Sequence, residues 1–170
     1  IDSGLLLKTQ DTLDSNGVAT LLAEEIKASG YDIVFMGKQS VDYDTSMVGQ
    51  LTATKAGLNC ITVCVALEIE NNSVIAEREI EGGREVVKSS LPVVITAQKG
   101  LNDPRYPNLK GIMDAKRKKL EERPVTAPAP LVEVVEMFLP NPKAPGRILG
   151  TDSTAVPELV RLLREEAKVI

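Results

Sequence analysis

The first sixty residues alternate between helix-like and strand-like hydrophobic patterns. Between residues 16 and 29 the apolar side chains recur at helical spacing, which predicts a helix that Ser15 or Asn16 caps and Gly30 ends. Its apolar face consists of Val18, Leu21, Leu22 and Ile26. The run DIVFMG (32–37) predicts a short strand buried on both faces of a parallel sheet. MVGQLTATKAG predicts a second helix, and this order of elements indicates an α/β fold.

A strictly alternating pattern follows in ITVCVALEI, which predicts a longer strand with one apolar face. That face consists of Ile61, Val63, Val65, Leu67 and Ile69. The turn sequences ENNS and EGG separate this strand from the runs VIAEREI and REVVKSS. We therefore expect an antiparallel meander over about 61–90, after which VVITA rejoins the main sheet.

The last third of the chain is polar, basic and less regular. GIMDAKRKKLEE (111–122) predicts a helix, and RPVTAPAP (123–130) predicts an extended, proline-rich linker. LVEVVEMFLPNP (131–142) predicts a strand or a packing segment. TAVPELVRLLREEAKV (154–169) predicts an amphipathic helix that closes the chain.

Length and composition allow one domain with an appendage. The chain has 170 residues, of which 43% are apolar and 26% charged, as in ordinary globular proteins. We predict a core over 1–123 and a linker with a C-terminal arm over 124–170. The net charge of -4 disfavours a general nucleic-acid binder, and the apolar runs are too short for membrane insertion.

Few residues are available for catalysis or metal binding. The chain contains no histidine, so the commonest acid–base side chain is missing. Cys60 and Cys64 lie four residues apart in the predicted strand. We expect two reduced thiols that point the same way rather than a redox pair or metal ligands.

The segment GKQSVDYDTSMVGQ (37–50) is the strongest candidate for a ligand site. It follows the predicted buried strand, and ligands of open α/β sheets bind beyond the carboxyl ends of the strands. Its bend leads into a helix N-terminus, whose amides with Thr45 and Ser46 can bind an anion. Asp42 and Asp44 can cap the loop's own amides, or bind ribose hydroxyls or a metal. An anion or nucleotide loop and a polar turn without ligand both remain open.

Three segments in order then resemble one family: GKQSVDYDTSMVGQ, EREIEGG, and LPVVITAQKGLNDPRYPNLKGIMDAKRKKLE. From Asp32 to about Leu120 the chain resembles the β subunit of electron-transfer flavoprotein. The resemblance implies a parallel-sheet core of the adenine nucleotide α hydrolase type. The family's subunit has further βα units ahead of this point, and IDSGLLLKTQD reads like a strand from inside a domain, so we expect a fragment.

The resemblance implies a heterodimer in which the α subunit holds most of the FAD. The β subunit of the common type binds one structural AMP on the loop that matches residues 37–49. The implied cofactor-binding residues are Gly37, Lys38, Gln39, Ser40, Val41, Asp42, Asp44, Thr45, Ser46, Met47, Val48 and Gly49. Residues 45–48 depart from the segment that grips phosphate in many AMP-binding members. They resemble instead the electron-bifurcating members, which bind a second FAD there.

The resemblance also implies a recognition loop over about 104–120 that docks partner dehydrogenases through Leu109. The implied docking residues are Arg105, Tyr106, Leu109, Ile112, Met113, Lys116 and Arg117. Without the resemblance, a solvated helix face is an equally good interpretation of this basic segment. RNA binding is disfavoured, because no aromatic stacking platform accompanies the segment beyond Tyr106. The resemblance further implies that Glu79 faces the α subunit and that the C-terminal arm packs on it.

The resemblance implies an electron carrier with no catalytic residues of its own. It would pass single electrons from acyl-CoA or other flavin dehydrogenases, as in fatty acid β-oxidation, to a membrane quinone oxidoreductase. The implied location is the bacterial cytoplasm, or the mitochondrial matrix in a eukaryote. The alternatives are a bifurcating carrier with a second FAD and a non-redox, adenine-nucleotide-binding regulatory module.

Overall fold

A five-stranded sheet organises the first of two units in the computed structural model, which describes residues 1–143 and 145–170. The units span Ile1–Glu133 and Val134–Ile170. The strands described in the first unit are β1 (Ser3–Lys8), β2 (Ile33–Gly37), β3 (Asn59–Glu70), β4 (Ser73–Ile80), β5 (Gly83–Ser90), β6 (Val93–Ala97) and β7 (Lys119–Pro124). Its helices are α1 (Ser15–Ser29), α2 (Val48–Ala56) and α3 (Leu109–Ala115).

The main sheet combines parallel and antiparallel pairing. Its strand order is β2-β6-β3-β4-β5, with β6 parallel to β2 and β3, and β4 antiparallel to β3 and β5. β1 and β7 pair in parallel as a two-stranded sheet. The predicted α/β fold, its antiparallel meander and the return of VVITA to the main sheet are confirmed.

Strand β6, rather than the DIVFMG strand that the sequence pattern predicted to be buried, forms the centre of the core. Val93, Val94 and Ile95 are fully buried, because β6 lies between two other strands and beneath a helix. β2 is an edge strand of the five-stranded sheet, and Phe35 is 55% exposed. The expectation that β2 is buried on both faces is therefore wrong.

A β-bulge in β3 breaks the predicted alternation. The pairing of β3 shifts between Ile61 and Cys64, and Val63 adopts a left-handed φ of 56° that is unusual for a β-branched residue. An extra residue in a strand reverses which side chains face the core. Cys60 is consequently exposed while Cys64 is buried, so the expectation that the two thiols point the same way is wrong.

Helix α1 is found where the periodicity predicts it, but a different residue caps it. Asp14 Oδ1 accepts a hydrogen bond of 2.6 Å from the Gly17 amide, whereas Ser15 lies within the helix. Gly30 ends the helix in the left-handed conformation, as predicted. The second predicted helix is also confirmed, as α2.

The basic segment after α3 differs from its prediction. The expected helix over 111–122 stops at Ala115, and residues from Lys119 onward form strand β7. The cause is a tertiary contact, because β7 pairs with β1 along its whole length from the Ser3–Lys119 pair onward. Arg123 then donates a hydrogen bond of 2.6 Å to Glu25 Oε2 on α1.

The predicted strand or packing segment over 131–142 is neither a helix nor a strand in the described residues. Leu131 and Val132 at its start are exposed. In the second unit a 3₁₀ turn (Ser153–Ala155) leads into helix α4 (Val156–Glu165), which confirms the predicted final helix. No helix among the described residues is both long and apolar enough to traverse a membrane.

Thr96 links the core to the bulge and supplies the first test of this fold. Its side chain is 1% exposed, and its Oγ1 accepts a hydrogen bond of 3.1 Å from the Val63 amide. We expect Thr96→Val to destabilise the protein by about 1–3 kcal/mol, because it leaves that amide without an acceptor. Thr96→Ser, which keeps the hydroxyl, should cost less. Urea unfolding measures both, and a Thr96→Val variant as stable as wild type would contradict the role of this hydrogen bond.

Candidate functional site

The β2–α2 loop (residues 38–47) begins where two parallel strands end together. The Lys38 amide donates a hydrogen bond of 3.0 Å to the Ala97 carbonyl, so the pairing of β2 with β6 continues into the loop. The Gln98 amide donates 2.9 Å to the Cys64 carbonyl on the other side of β6. The loop therefore starts from a rigid edge at the carboxyl ends of β2 and β6.

Gln39 holds the middle of this loop together. Its side-chain amide donates to Asp44 Oδ1, and its Oε1 accepts a hydrogen bond of 2.8 Å from Ser46 Oγ. Asp44 and Ser46 both have positive φ angles, of 52° and 51°. One glutamine thus stabilises the two residues of the loop whose backbone conformations are least favourable.

The second loop aspartate also bonds to the loop itself. Asp42 Oδ1 accepts a hydrogen bond of 2.9 Å from the Tyr43 amide. Hydrogen bonds from the Ser40 hydroxyl, the Tyr43 amide and its own amide lower the pKa of Asp42 below its usual value. Both loop carboxylates are therefore engaged by polar groups of the loop. Among the described residues, no group of three His, Cys, Asp or Glu side chains can hold a metal ion.

The N-terminus of α2 is open to an anion. Met47 occupies the N-cap position and makes no side-chain hydrogen bond to the helix. The amides of the first turn carry positive partial charge that no capping side chain satisfies. Gln50, in the same turn, has a buried Oε1 without a hydrogen-bond partner among the described residues. This turn therefore has backbone donors without a side-chain cap, beside a buried acceptor that has no partner among the described residues.

Gly49 allows this helix turn to lie against the sheet. A Cβ at Gly49 would lie 2.3 Å from the Thr96 methyl carbon, closer than side chains ever approach. On the opposite side of the loop, Thr45 Oγ1 lies 3.4 Å from the hydroxyl of Ser15 in the first turn of α1. The loop thus lies among β6, α1 and α2.

The structure places the predicted cofactor-binding residues in three groups. Gln39, Asp44 and Ser46 bond to one another, while Gly49 and Val48 form the first turn of α2. All residues of the loop except Lys38 and Ser46 are exposed, including the predicted residues Ser40, Val41, Asp42, Thr45 and Met47. Gln50 and Ser15 belong to the same neighbourhood and were missed by sequence reasoning. Gln50 directly follows the last residue assigned to the nucleotide from the resemblance, and nothing local marks Ser15 as a neighbour of Thr45.

A second candidate surface surrounds the short helix α3. Asn108 caps this helix by accepting a hydrogen bond of 2.8 Å from the Gly111 amide, and no residue of the helix is buried. Four apolar side chains project into solvent: Tyr106 (92% exposed), Leu109 (74%), Ile112 (44%) and Met113 (51%). Arg105, Lys116 and Arg117 flank them, and all three are exposed. We refer to these seven residues as the docking surface.

Glu79 lies apart from both surfaces, on strand β4. Its carboxylate is half-buried and accepts a hydrogen bond of 3.3 Å from the Gln98 side chain. The neighbouring Arg78 donates to the Thr62 carbonyl and hydroxyl and, at 2.6 Å, to Glu85. The hairpin is thereby tied to the bulge of β3 and to the residue that follows β6.

Comparison with known proteins defines the class to which this fold and these surfaces belong. The signature described as "Electron transfer flavoprotein domain" matches residues 2–128. The chain is 37% identical over 180 residues to "Electron transfer flavoprotein subunit beta" of Bacillus subtilis, covering 99% of this chain and 70% of that protein. It is 32% identical to the same subunit of Bradyrhizobium diazoefficiens, with 99% and 68% covered. A "Probable electron transfer flavoprotein subunit beta" of Saccharomyces cerevisiae is 32% identical, with 92% and 61% covered.

The chain therefore belongs to the electron transfer flavoprotein family, and the relatives it matches are β subunits. The resemblance inferred from the three sequence segments is confirmed. Membership supports a role as a subunit of an electron carrier and implies association with a flavin and with an α-type subunit.

The contact between Gly49 and Thr96 leads to a double-mutant prediction. Gly49→Ala should destabilise the protein by about 1–3 kcal/mol, because the new methyl group overlaps the Thr96 side chain. In a Thr96→Ser background the overlapping carbon is absent, and the nearest Thr96 atom is then Cβ at 3.7 Å. There the same change should be neutral or stabilise by up to about 1 kcal/mol, since alanine favours the helix.

Chemical denaturation of the two single variants and the double variant measures this coupling. Gly83→Ala is the matched control, because a Cβ at Gly83 meets no atom within 4 Å. If Gly49→Ala lowers the free energy of unfolding equally in the two backgrounds, the close approach of Gly49 to the Thr96 methyl group does not exclude larger residues at position 49.

Proposed function

We propose that this chain is the β subunit of a heterodimeric electron transfer flavoprotein whose FAD is held mainly by the α subunit. The complex carries single electrons from acyl-CoA or other flavin dehydrogenases to a quinone oxidoreductase. Its place is the bacterial cytoplasm or, in a eukaryote, the mitochondrial matrix. The observation that supports this proposal most directly is the docking surface, which keeps Leu109 74% exposed on a helix with no buried residue.

The docking surface has the properties that a carrier needs for brief contacts. Burial of one leucine in a partner's apolar pocket contributes on the order of 1.5–3 kcal/mol. Charges at the rim, such as Arg105, Lys116 and Arg117, act mainly on the rate of encounter. A single apolar anchor surrounded by positive charge therefore gives fast association with weak affinity. Electron transfer tolerates such a complex, since no atoms are exchanged between the partners.

We assign the β2–α2 loop to AMP. The phosphate would accept hydrogen bonds from the backbone amides of the first turn of α2, which no side chain caps. The Asp44 carboxylate would repel a phosphate less than a free carboxylate does, because the Gln39 side chain donates a hydrogen bond to it. Thr45 retains a hydroxyl at the loop surface for the same phosphate. The other implied residues, from Gly37 to Met47, would form the wall around the nucleotide.

A second FAD in place of AMP is the alternative, and the number of uncapped helix N-termini beside the loop favours AMP, which has a single phosphate group. The pyrophosphate of FAD carries two anionic groups, whereas AMP carries one phosphate. Of the two helix N-termini beside the loop, only that of α2 lacks a capping side chain, because Asp14 caps α1. The carboxylate at α1 occupies its amides and disfavours a second phosphate there.

The remaining residues assigned from the resemblance concern the α subunit. Glu79 would face that subunit from the β4–β5 hairpin. The C-terminal arm would pack on it through the apolar residues that begin with the exposed pair Leu131 and Val132. In the second unit the same run continues with the exposed residues Val134, Val135, Met137, Phe138 and Leu139. Such a run in water calls for a partner surface.

A non-redox nucleotide sensor is the competing function, because it needs the loop but neither flavin nor docking surface. Expression of the full-length chain with its α subunit distinguishes the two functions. A yellow heterodimer with a flavin spectrum supports the carrier, and a colourless chain that does not associate with an α subunit supports the sensor.

The first prediction from this function concerns Leu109. In the full-length heterodimer, Leu109→Ala should slow reduction by the partner acyl-CoA dehydrogenase about tenfold or more, because the apolar anchor is lost. Stopped-flow reduction of the flavin measures this rate. Folding and nucleotide content should stay the same.

Ile69→Ala is the control for the loss of an exposed aliphatic side chain, because Ile69 is 55% exposed on β3. It should leave the reduction rate unchanged. Equal rates for wild type and Leu109→Ala would exclude the docking role of this helix.

The second prediction concerns the nucleotide. Acid extraction of the full-length heterodimer, followed by chromatography, should release AMP in an amount equal to the heterodimer, together with an equal amount of FAD. Twice as much FAD and no AMP would identify the bifurcating alternative. Release of FAD alone in an equal amount would remove the β2–α2 loop as a nucleotide site.

A further inference from the structure

A strap (residues 123–132) runs back along α1 from the end of β7 to the start of the helix. Arg123 fixes one end by donating to Glu25 Oε2 at 2.6 Å. The Val125 amide donates a hydrogen bond of 2.9 Å to the Lys8 carbonyl, so the pairing of β7 with β1 continues into the strap. At the other end, the amides of Leu131 and Val132 donate to Asp14 Oδ2 at 2.7 and 3.2 Å.

Asp14 uses its two carboxylate oxygens for two different tasks. Oδ1 accepts from the Gly17 amide and caps α1, while Oδ2 accepts from the two strap amides. Hydrogen bonds from the Gly17 and Leu131 amides lower the pKa of Asp14 below its usual value. A single charged side chain thus fixes both the start of α1 and the point where the apolar arm leaves the first unit.

The next residue connects this point to the β2–α2 loop. Ser15 Oγ lies 3.4 Å from Thr45 Oγ1, which is the hydroxyl assigned above to the nucleotide phosphate. The strap and the loop therefore meet at adjacent residues of the same helix turn. A ligand that binds Thr45 would therefore act one residue away from the carboxylate that holds the strap.

We propose that Asp14 and Ser15 are positioning residues that couple nucleotide binding in the β2–α2 loop to closure of the strap. This inference rests on the proposed assignment of the loop to AMP. When AMP engages Thr45, the Ser15–Thr45 contact fixes the first turn of α1, and Asp14 then holds the Leu131 and Val132 amides more firmly. Because coupling between two sites is reciprocal, closure of the strap strengthens AMP binding by the same factor.

The arrangement also has a consequence for assembly. The apolar arm that would contact the α subunit begins at Leu131, the residue that Asp14 holds. A closed strap restricts where the arm starts and lowers the entropy lost when the arm docks.

Hydrogen exchange of the strap tests this proposal in the full-length heterodimer freed of nucleotide and titrated with AMP. AMP should slow exchange of the Leu131 and Val132 amides about three- to tenfold, the change expected for one net hydrogen bond. Ser15→Ala should abolish this response to AMP while the strap stays closed, and Ser15→Thr should preserve it because threonine keeps the hydroxyl.

Asp14→Asn tests the second half of the coupling. Asparagine caps a helix as well as aspartate does, so α1 should remain intact. With its cap oxygen retained, its amide nitrogen faces the strap amides, and a donor cannot accept from them. Strap exchange should therefore be fast with and without AMP, and AMP affinity measured by calorimetry should fall about three- to tenfold, as reciprocity requires.

The outcomes separate this inference from the proposed function. AMP that binds without changing strap exchange overturns the coupling alone. An Asp14→Asn variant with slow strap exchange overturns the role of Asp14. A heterodimer that does not bind AMP at all overturns both the coupling and the assignment of the loop.

Discussion

The carboxyl end of the sheet depends on one close approach, in which Gly49 lies directly against the side chain of Thr96. The methyl group of Thr96 occupies the space that any larger residue at Gly49 would need. The hydroxyl oxygen of Thr96 accepts a hydrogen bond from the Val63 amide. Val63 has a left-handed φ and lies at the bulge in β3. One buried threonine on β6 therefore sets the position of α2 and the course of β3. Because the contact fixes the first turn of α2, it also fixes the end of the loop that precedes this helix.

The elements with a local cause could be predicted from the sequence. The apolar period of α1, the turns of the meander and the run VVITA all depend on residues close together in the chain. Two of the failures share a different cause, which is a contact distant in the chain. The bulge in β3 requires Thr96, and the conversion of residues 119–124 from helix to strand requires β1. Contacts between residues that lie far apart in the chain leave no periodic signal at either end.

The candidate site divides in the same way. The β2–α2 loop and the docking surface could be located from the order of three segments, because their residues lie next to one another in the chain. The Gln39 network explains why two aspartates occur in a loop assigned to an anion, and it could not be inferred from residue types. The strap contact of Asp14 joins residues 117 positions apart, so the sequence indicates neither the partner nor the contact.

The proposed electron-carrier function explains why buried contacts and exposed apolar side chains occur in different parts of this chain. A carrier that exchanges electrons without exchanging atoms needs no proton donor or nucleophile, and the chain has no histidine. In the proposed function, such a subunit needs a fixed surface for the flavin-bearing partner and an exposed surface for successive donors. The first need favours buried contacts such as Thr96 and a loop whose side chains bond to one another. The second favours a short helix that contributes nothing to the core, since a leucine that stabilised the fold would be unavailable for docking.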